Sequence, residues 1–161
     1  MKKKLLLPII AVIFLLTACG QTANSTAIAP FTEVVWGSSL NEICELEGDA
    51  YTESLSMAGG YNYIYPKQYL DYDGYVQYNI DDEGALSSVS WFYIGNDETL
   101  ASDIYNAIHE KTTTTLGEEK PLDVSNVYSG NKWETSDSNV MLISFSQEGE
   151  YAVQISYLIK E

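Results

Sequence analysis

Acid–base and nucleophilic catalysis both need a base held beside a reactive atom, and the chain has a single histidine, His109, to serve as one. It sits between Ile108 and Glu110 in a helical pattern. No Gly-x-Ser-x-Gly turn is present to lift a serine toward it. The pattern therefore reads as a surface histidine near a helix C-terminus. Carboxylates are plentiful, with 23 Asp+Glu, and glycoside hydrolysis uses two of them. With so many acids some pair approaches by chance, so none is singled out. Asp71/Asp73 and Asp81/Asp82/Glu83 carry the hard oxygens that calcium takes. Neither run has EF-hand spacing, and both fit hairpin turns. One histidine and two cysteines are too few for a His/Cys zinc site. There is no P-loop and no Gly-x-Gly-x-x-Gly. The expectation is a non-enzyme without metal or cofactor.

Tyrosine is the unusual residue. Seven of the 13 fall between Tyr61 and Tyr78. At strand spacing Tyr61, Tyr63 and Tyr65 share one face. Exposed, that face is a rigid aromatic platform of the type binding sites use, with Asp71 and Asp73 beyond it. Turned toward helices, it is core. Cys44 lies beside Leu40 and Ile43 on the apolar side of a short helix and reads as a small buried hydrophobe. Its neighbours Glu42, Glu45 and Glu47 would raise a thiol pKa rather than activate it.

The remaining cysteine has a different setting. Lys2, Lys3 and Lys4 precede a twelve-residue apolar run, Leu5 to Leu16, broken only by Pro8. The run is too short for a membrane span of about 20 residues, and its length suits an export signal. Leu16-Thr17-Ala18-Cys19-Gly20 follows, and it resembles the lipobox of bacterial lipoproteins. The resemblance implies cleavage after Ala18 and a thioether-linked diacylglycerol on Cys19. Two acyl chains anchor stably, at about 0.8 kcal/mol per buried methylene. Residues 1–18 are thus read as a lipoprotein signal peptide. Residues 19–30 are the lipidated cysteine and a small, polar tether, and 31–161 are one domain. With Cys19 lipidated, Cys44 has no disulfide partner in the chain.

The charge sets limits on partners. Eight basic residues, all lysine, stand against 23 acids, a formal charge of −15. Losing residues 1–18 removes three lysines and no acid. Such a body does not bind nucleic acid, which demands a basic face. An anionic membrane surface repels it, so residence there must come from the lipid.

The elements that position these residues follow from periodicity. Ser39 and Glu42 form a capping-box pattern before Leu40, Ile43 and Cys44, and Gly48 ends a helix over about 39–47, with Val35 and Trp36 packing at its start. Tyr61–Tyr65, Val76–Ile80 and Ala85–Ile94 alternate as strands, joined by turns at 71–74 and 81–84. Asn96 or Asp97 caps a second helix with Leu100, Ile104, Ala107, Ile108 and Lys111 on one stripe, stopped by Gly117. The run Thr112–Thr115 predicts a frayed last turn. A short strand around Trp133, then 140–147, a Glu148-Gly149 turn and 151–159 complete the chain. Strands run in succession, not in βαβ alternation. The fold class expected is α+β: an antiparallel sheet of about six strands, in two helix-plus-three-strand halves, with two helices on one face.

The Trp36-Gly37-Ser38-Ser39 start, the short helix, and the Asp82-Glu83-Gly84-Ala85-Leu86 turn leading to Trp91-Phe92-Tyr93 resemble small bacterial envelope lipoproteins. They are similar in particular to helix-on-sheet modules of the BamE/SmpA type and of beta-lactamase inhibitory protein, over roughly 31–95. The resemblance implies a protein-binding module with no catalytic residues to carry over. The function expected is a lipid-anchored, non-enzymatic binding module on the outer face of the bacterial cell membrane. Its partners are membrane lipid through Cys19 and an envelope protein or cell-wall component. The rival readings are an inhibitor of an envelope enzyme and a small hydrolase with unidentified carboxylates.

Overall fold

The computed structural model describes residues 27–122 and 129–160. The expected signal peptide and Cys19 lie outside the described residues. Helix α1 spans Leu40–Glu47, and strands β1 (Thr52–Leu55), β2 (Tyr61–Tyr69), β3 (Tyr72–Ile80) and β4 (Leu86–Gly95) follow it. Helix α2 (Glu98–Leu116) then leads to β5 (Lys120–Pro121), β6 (Ser129–Glu134), β7 (Ser138–Gln147) and β8 (Glu150–Ile159). One antiparallel sheet holds all eight strands in the order β1-β2-β3-β4-β8-β7-β6-β5. The architecture is α+β, with eight strands rather than six and two halves of one helix and four strands each. The two additional strands are the sheet's outer edges. β1 is exposed at all four positions, so it carries no alternation to read. β5 is two residues, Lys120–Pro121, and proline is tolerated only at such an edge.

Both helices lie on the same face. From α1, Glu47 and Cys44 reach Tyr78 and Tyr65. From α2, Tyr105 reaches Asn131 and the His109 ring meets Trp133 at a tilt. The core fills this interface with Ile43, Ile104 and Ile108 against Val76, Val89, Trp91, Leu142 and Ile155. The packed region begins by Ile28 and Ala29, both buried, a few residues ahead of the expected start at Phe31.

Local chemistry explains the boundaries. Ser39 and Glu42 close a full capping box, and the Gly48 N–H bonds back to Cys44 O. The Asp97 carboxylate accepts the Leu100 N–H, and Gly117 ends α2. The threonine run does not fray. Thr112 is buried on the stripe Ala101-Ile104-Ile108-Thr112, Thr113 Oγ1 donates to Glu119, and α2 runs to Leu116. Lys111, expected on that stripe, is exposed, because the helix presents the neighbouring position to the sheet. Trp36 does not simply pack at the start of α1; its Nε1 donates across to Ser138 Oγ on β7 (3.3 Å).

The β2–β3 turn is tighter than the expected 71–74. Leu70 and Asp71 form a two-residue loop with φ of 51° and 65°, and Asp73 and Gly74 already belong to β3. At Gly74 a side chain is excluded. The Trp91 indole crosses β3 there to donate to Lys67 O on β2 (2.9 Å), and a β-carbon would overlap the ring. Gly74→Ala is therefore expected to destabilise the protein by about 1–3 kcal/mol, as overpacking does. Chemical denaturation checks this, and an unchanged midpoint would count against the crossing.

Candidate functional site

The tyrosines at 61, 63 and 65 face the helices. Tyr63 and Tyr65 are 8% and 2% exposed, and only Tyr61, at the rim, stays open at 45%. They take the core alternative because α1 and the 28–38 segment need an apolar floor. Edge-to-face contacts link Tyr51 to Tyr63 and Tyr65, Tyr65 to Tyr78, Tyr69 to Trp91, and Phe31 to Tyr69 and Tyr157. Each such pair adds about 0.5–1.5 kcal/mol beyond area burial. Asp71 sits in the β2–β3 turn and Asp73 on the opposite sheet face, where Gln68 Nε2 donates to it (3.0 Å). The structure does not bring these five residues together.

The other groups capable of chemistry are engaged structurally. His109 Nε2 lies 2.6 Å from Glu119 Oε2, and its ring stacks on Tyr105. Asp81 accepts the Glu83 and Ala85 N–H groups, and Asp82 accepts that of Gly60. Cys44 is a free, half-buried thiol 3.6 Å from Tyr65 Oη. Among the described residues no group of three or more His, Cys, Asp or Glu is placed to hold a metal.

Sequence reading passed over the role of Glu47. Its side chain is 7% exposed. Lys67 Nζ donates to both oxygens (2.9 and 2.8 Å) and Tyr78 Oη donates to Oε1 (2.6 Å). The Tyr78 proton is thus committed, so Thr32 Oγ1 donates to Tyr78 Oη (2.7 Å). This is a filled clamp tying the N-terminal segment, α1, β2 and β3, and it borders a cleft of about 470 Å³. The last residue of a capped acidic helix gives no sequence signal of such burial.

The sheet has a second face that neither helix covers. Strand register sets out three central rows on it. The first is Asn62, Asn79, Ser88, Leu158 and Asn139. The second is Ile64, Gln77, Ser90, Ser156 and Met141. The third is Pro66, Tyr75, Phe92, Gln154 and Ile143. Asn62 Oδ1 accepts from Gln77 Nε2 (3.2 Å) and Asn79 Nδ2 (3.1 Å), and Ser87 Oγ bonds Asn79 Oδ1. Ser156 Oγ accepts from Ser90 Oγ (2.8 Å) and Gln154 Nε2 (2.9 Å). Beside this polar strip Tyr75 and Phe92 stack, centroids 5.5 Å apart at 26°. Tyr75 is 44% exposed. Ser90 and Ser156, on the two middle strands, are themselves buried among their neighbours on this face.

Burial raises several phenol pKa values. Tyr69, whose hydroxyl has no partner among the described residues, is pushed up to about 12 by desolvation. Burial also raises Tyr78, with the Glu47 carboxylate adding to it, and raises Tyr157. A raised folded-state pKa stabilises the neutral phenol, so this stability is complete below the ordinary tyrosine value near 10. It is lost as pH climbs from there through about 12. Alkaline titration should show a fraction of the phenolate absorbance appearing only together with loss of the far-UV dichroism. Full phenolate absorbance with the dichroism intact would contradict this burial.

Compared with known protein families, curated proteins and solved structures, the chain matches none.

Proposed function

We propose that the protein is a lipid-anchored, non-enzymatic binding module of the bacterial cell envelope that meets its partner on the uncovered face of the sheet. The observation that supports binding is that face. On it an exposed Tyr75 stacks on a half-buried Phe92 beside the half-buried amides of Asn62, Gln77 and Gln154, while the helices occupy the other side. Rigid aromatic and amide groups of this type are what partner surfaces use. Asp81 and Asp82 are tied into turns, Glu47 into its clamp and His109 to Glu119, which favours recognition over chemistry. The location rests on Lys2–Lys4, the apolar run and Leu16-Thr17-Ala18-Cys19. The acidity of the chain assigns membrane residence to the lipid.

Cys19→Ala is expected to move the protein from the membrane fraction to the soluble one without changing its thermal unfolding. A mutant that stays with the membrane after a salt wash would overturn the anchor. The full chain, immobilised and exposed to envelope extract, should retain its partner at both low and moderate salt. Retention that disappears with salt would reduce the binding to acidic capture.

A further inference from the structure

The chemistry of the open face departs from that of the molecule around it. The chain carries −15, yet over β2, β3, β4, β8 and β7 the three central rows contain no charged side chain. Charge returns at the margins: Asp73 lies beyond the third row on β3, and Lys132 and Glu134 continue the second and first rows on β6, beside Met141 and Asn139. Inside them hydrogen-bonding capacity is only half used. The Asn62 amide nitrogen and the Gln77 and Gln154 carbonyl oxygens have no partner among the described residues. Donors and acceptors therefore stand side by side, next to the stacked Tyr75 and Phe92 rings.

That combination narrows the ligand. An anionic polymer is repelled by the body of the protein, and a basic partner finds its carboxylates elsewhere. A second copy would press two strongly acidic bodies together. A purely apolar partner would bury the free amide groups unpaired, at about 1–3 kcal/mol each. An uncharged sugar chain meets every condition. Its hydroxyls both donate and accept, its C–H faces suit the negative face of an aromatic ring, and it carries no charge to be repelled. We infer that the open face binds a neutral, linear polysaccharide, laid across the middle strands beside Asn62, Gln77 and Gln154 with a sugar ring on Tyr75 and Phe92. The inference rests on the binding-module reading and names its ligand class.

The test titrates the full chain, held in a zwitterionic detergent free of sugar headgroups, with N-acetylchitohexaose and with cellohexaose. Alginate serves as the anionic comparison. Calorimetry should show binding of at least one neutral hexaose, unchanged by added salt, and none of alginate. Tyr75→Ala and Phe92→Ala should each weaken it at least about fivefold. Gln77→Ala should weaken it too, while Tyr61→Ala, on the helix-covered face, should not. Amide chemical shifts should move on β3, β4 and β8. No binding of either hexaose, salt-sensitive binding, or shifts confined to the helix face would overturn the proposal. If a protein from envelope extract is retained and lost again in Phe92→Ala, the module stands and the sugar ligand falls. If Cys19→Ala keeps to the membrane while hexaose binding persists, the anchor falls and the sugar site stands.

Discussion

The pairing of β4 with β8 is the contact on which the rest of the molecule depends. Each half of the chain is a four-strand meander, and these two strands are where the halves join. Unpaired, each would be a long edge of open backbone groups. On the helix side the seam carries Val89, Trp91, Ile155 and Tyr157, all buried. On the other side it carries Ser88, Ser90 and Ser156. The join also fixes what α2 must do. The chain leaves the middle of the sheet after β4 and must re-enter at the far edge, four strands or roughly 19 Å away. The 19 residues of α2 extend about 28 Å, enough to make the crossing while covering β7 and β8.

The first half has a shorter helix and compensates with side chains. The eight residues of α1 cannot roof β1 to β4 alone, so the 28–38 segment shares the work. The two are held by Glu47, whose carboxylate is taken out of water and matched at once by Lys67 and Tyr78. A buried charge is tolerable only when so satisfied. The aromatic floor beneath them is tyrosine rather than leucine; the Tyr78 hydroxyl joins that network and the Tyr65 hydroxyl meets Cys44.

Two helices cover one face of an eight-stranded sheet, and the other face must be compatible with water. Charged residues would achieve that most simply in so acidic a chain. The central rows use serine, asparagine and glutamine instead, with aromatic rings among them. That choice satisfies the middle of the face through hydrogen bonds and leaves it without charge until Lys132 and Glu134 on β6.

Local rules made much of this legible beforehand. Ser39 with Glu42, Asp97 and Gly117 marked the helix ends because capping is satisfied within a few residues. The alternation in β2, β3, β4, β7 and β8 marked the inner strands because one face of each is buried. The edges β1 and β5 gave no such mark, since a strand without a buried face has no period. Which way Tyr63 and Tyr65 point was beyond local reading: alternation says that they share a face, and only the placement of α1 says which one is roofed. The same holds for the open face. Asn62, Gln77, Ser90, Ser156 and Phe92 come from four strands separated by up to 94 positions in sequence, and none is distinctive in its own segment. Sequence by itself determined the two helices, the inner strands, the acidity and the lipobox-like pattern at Cys19, because each is written in neighbouring residues. Tertiary structure alone decided the face, because register across the β4–β8 seam is a long-range pairing that no stretch of neighbouring residues encodes.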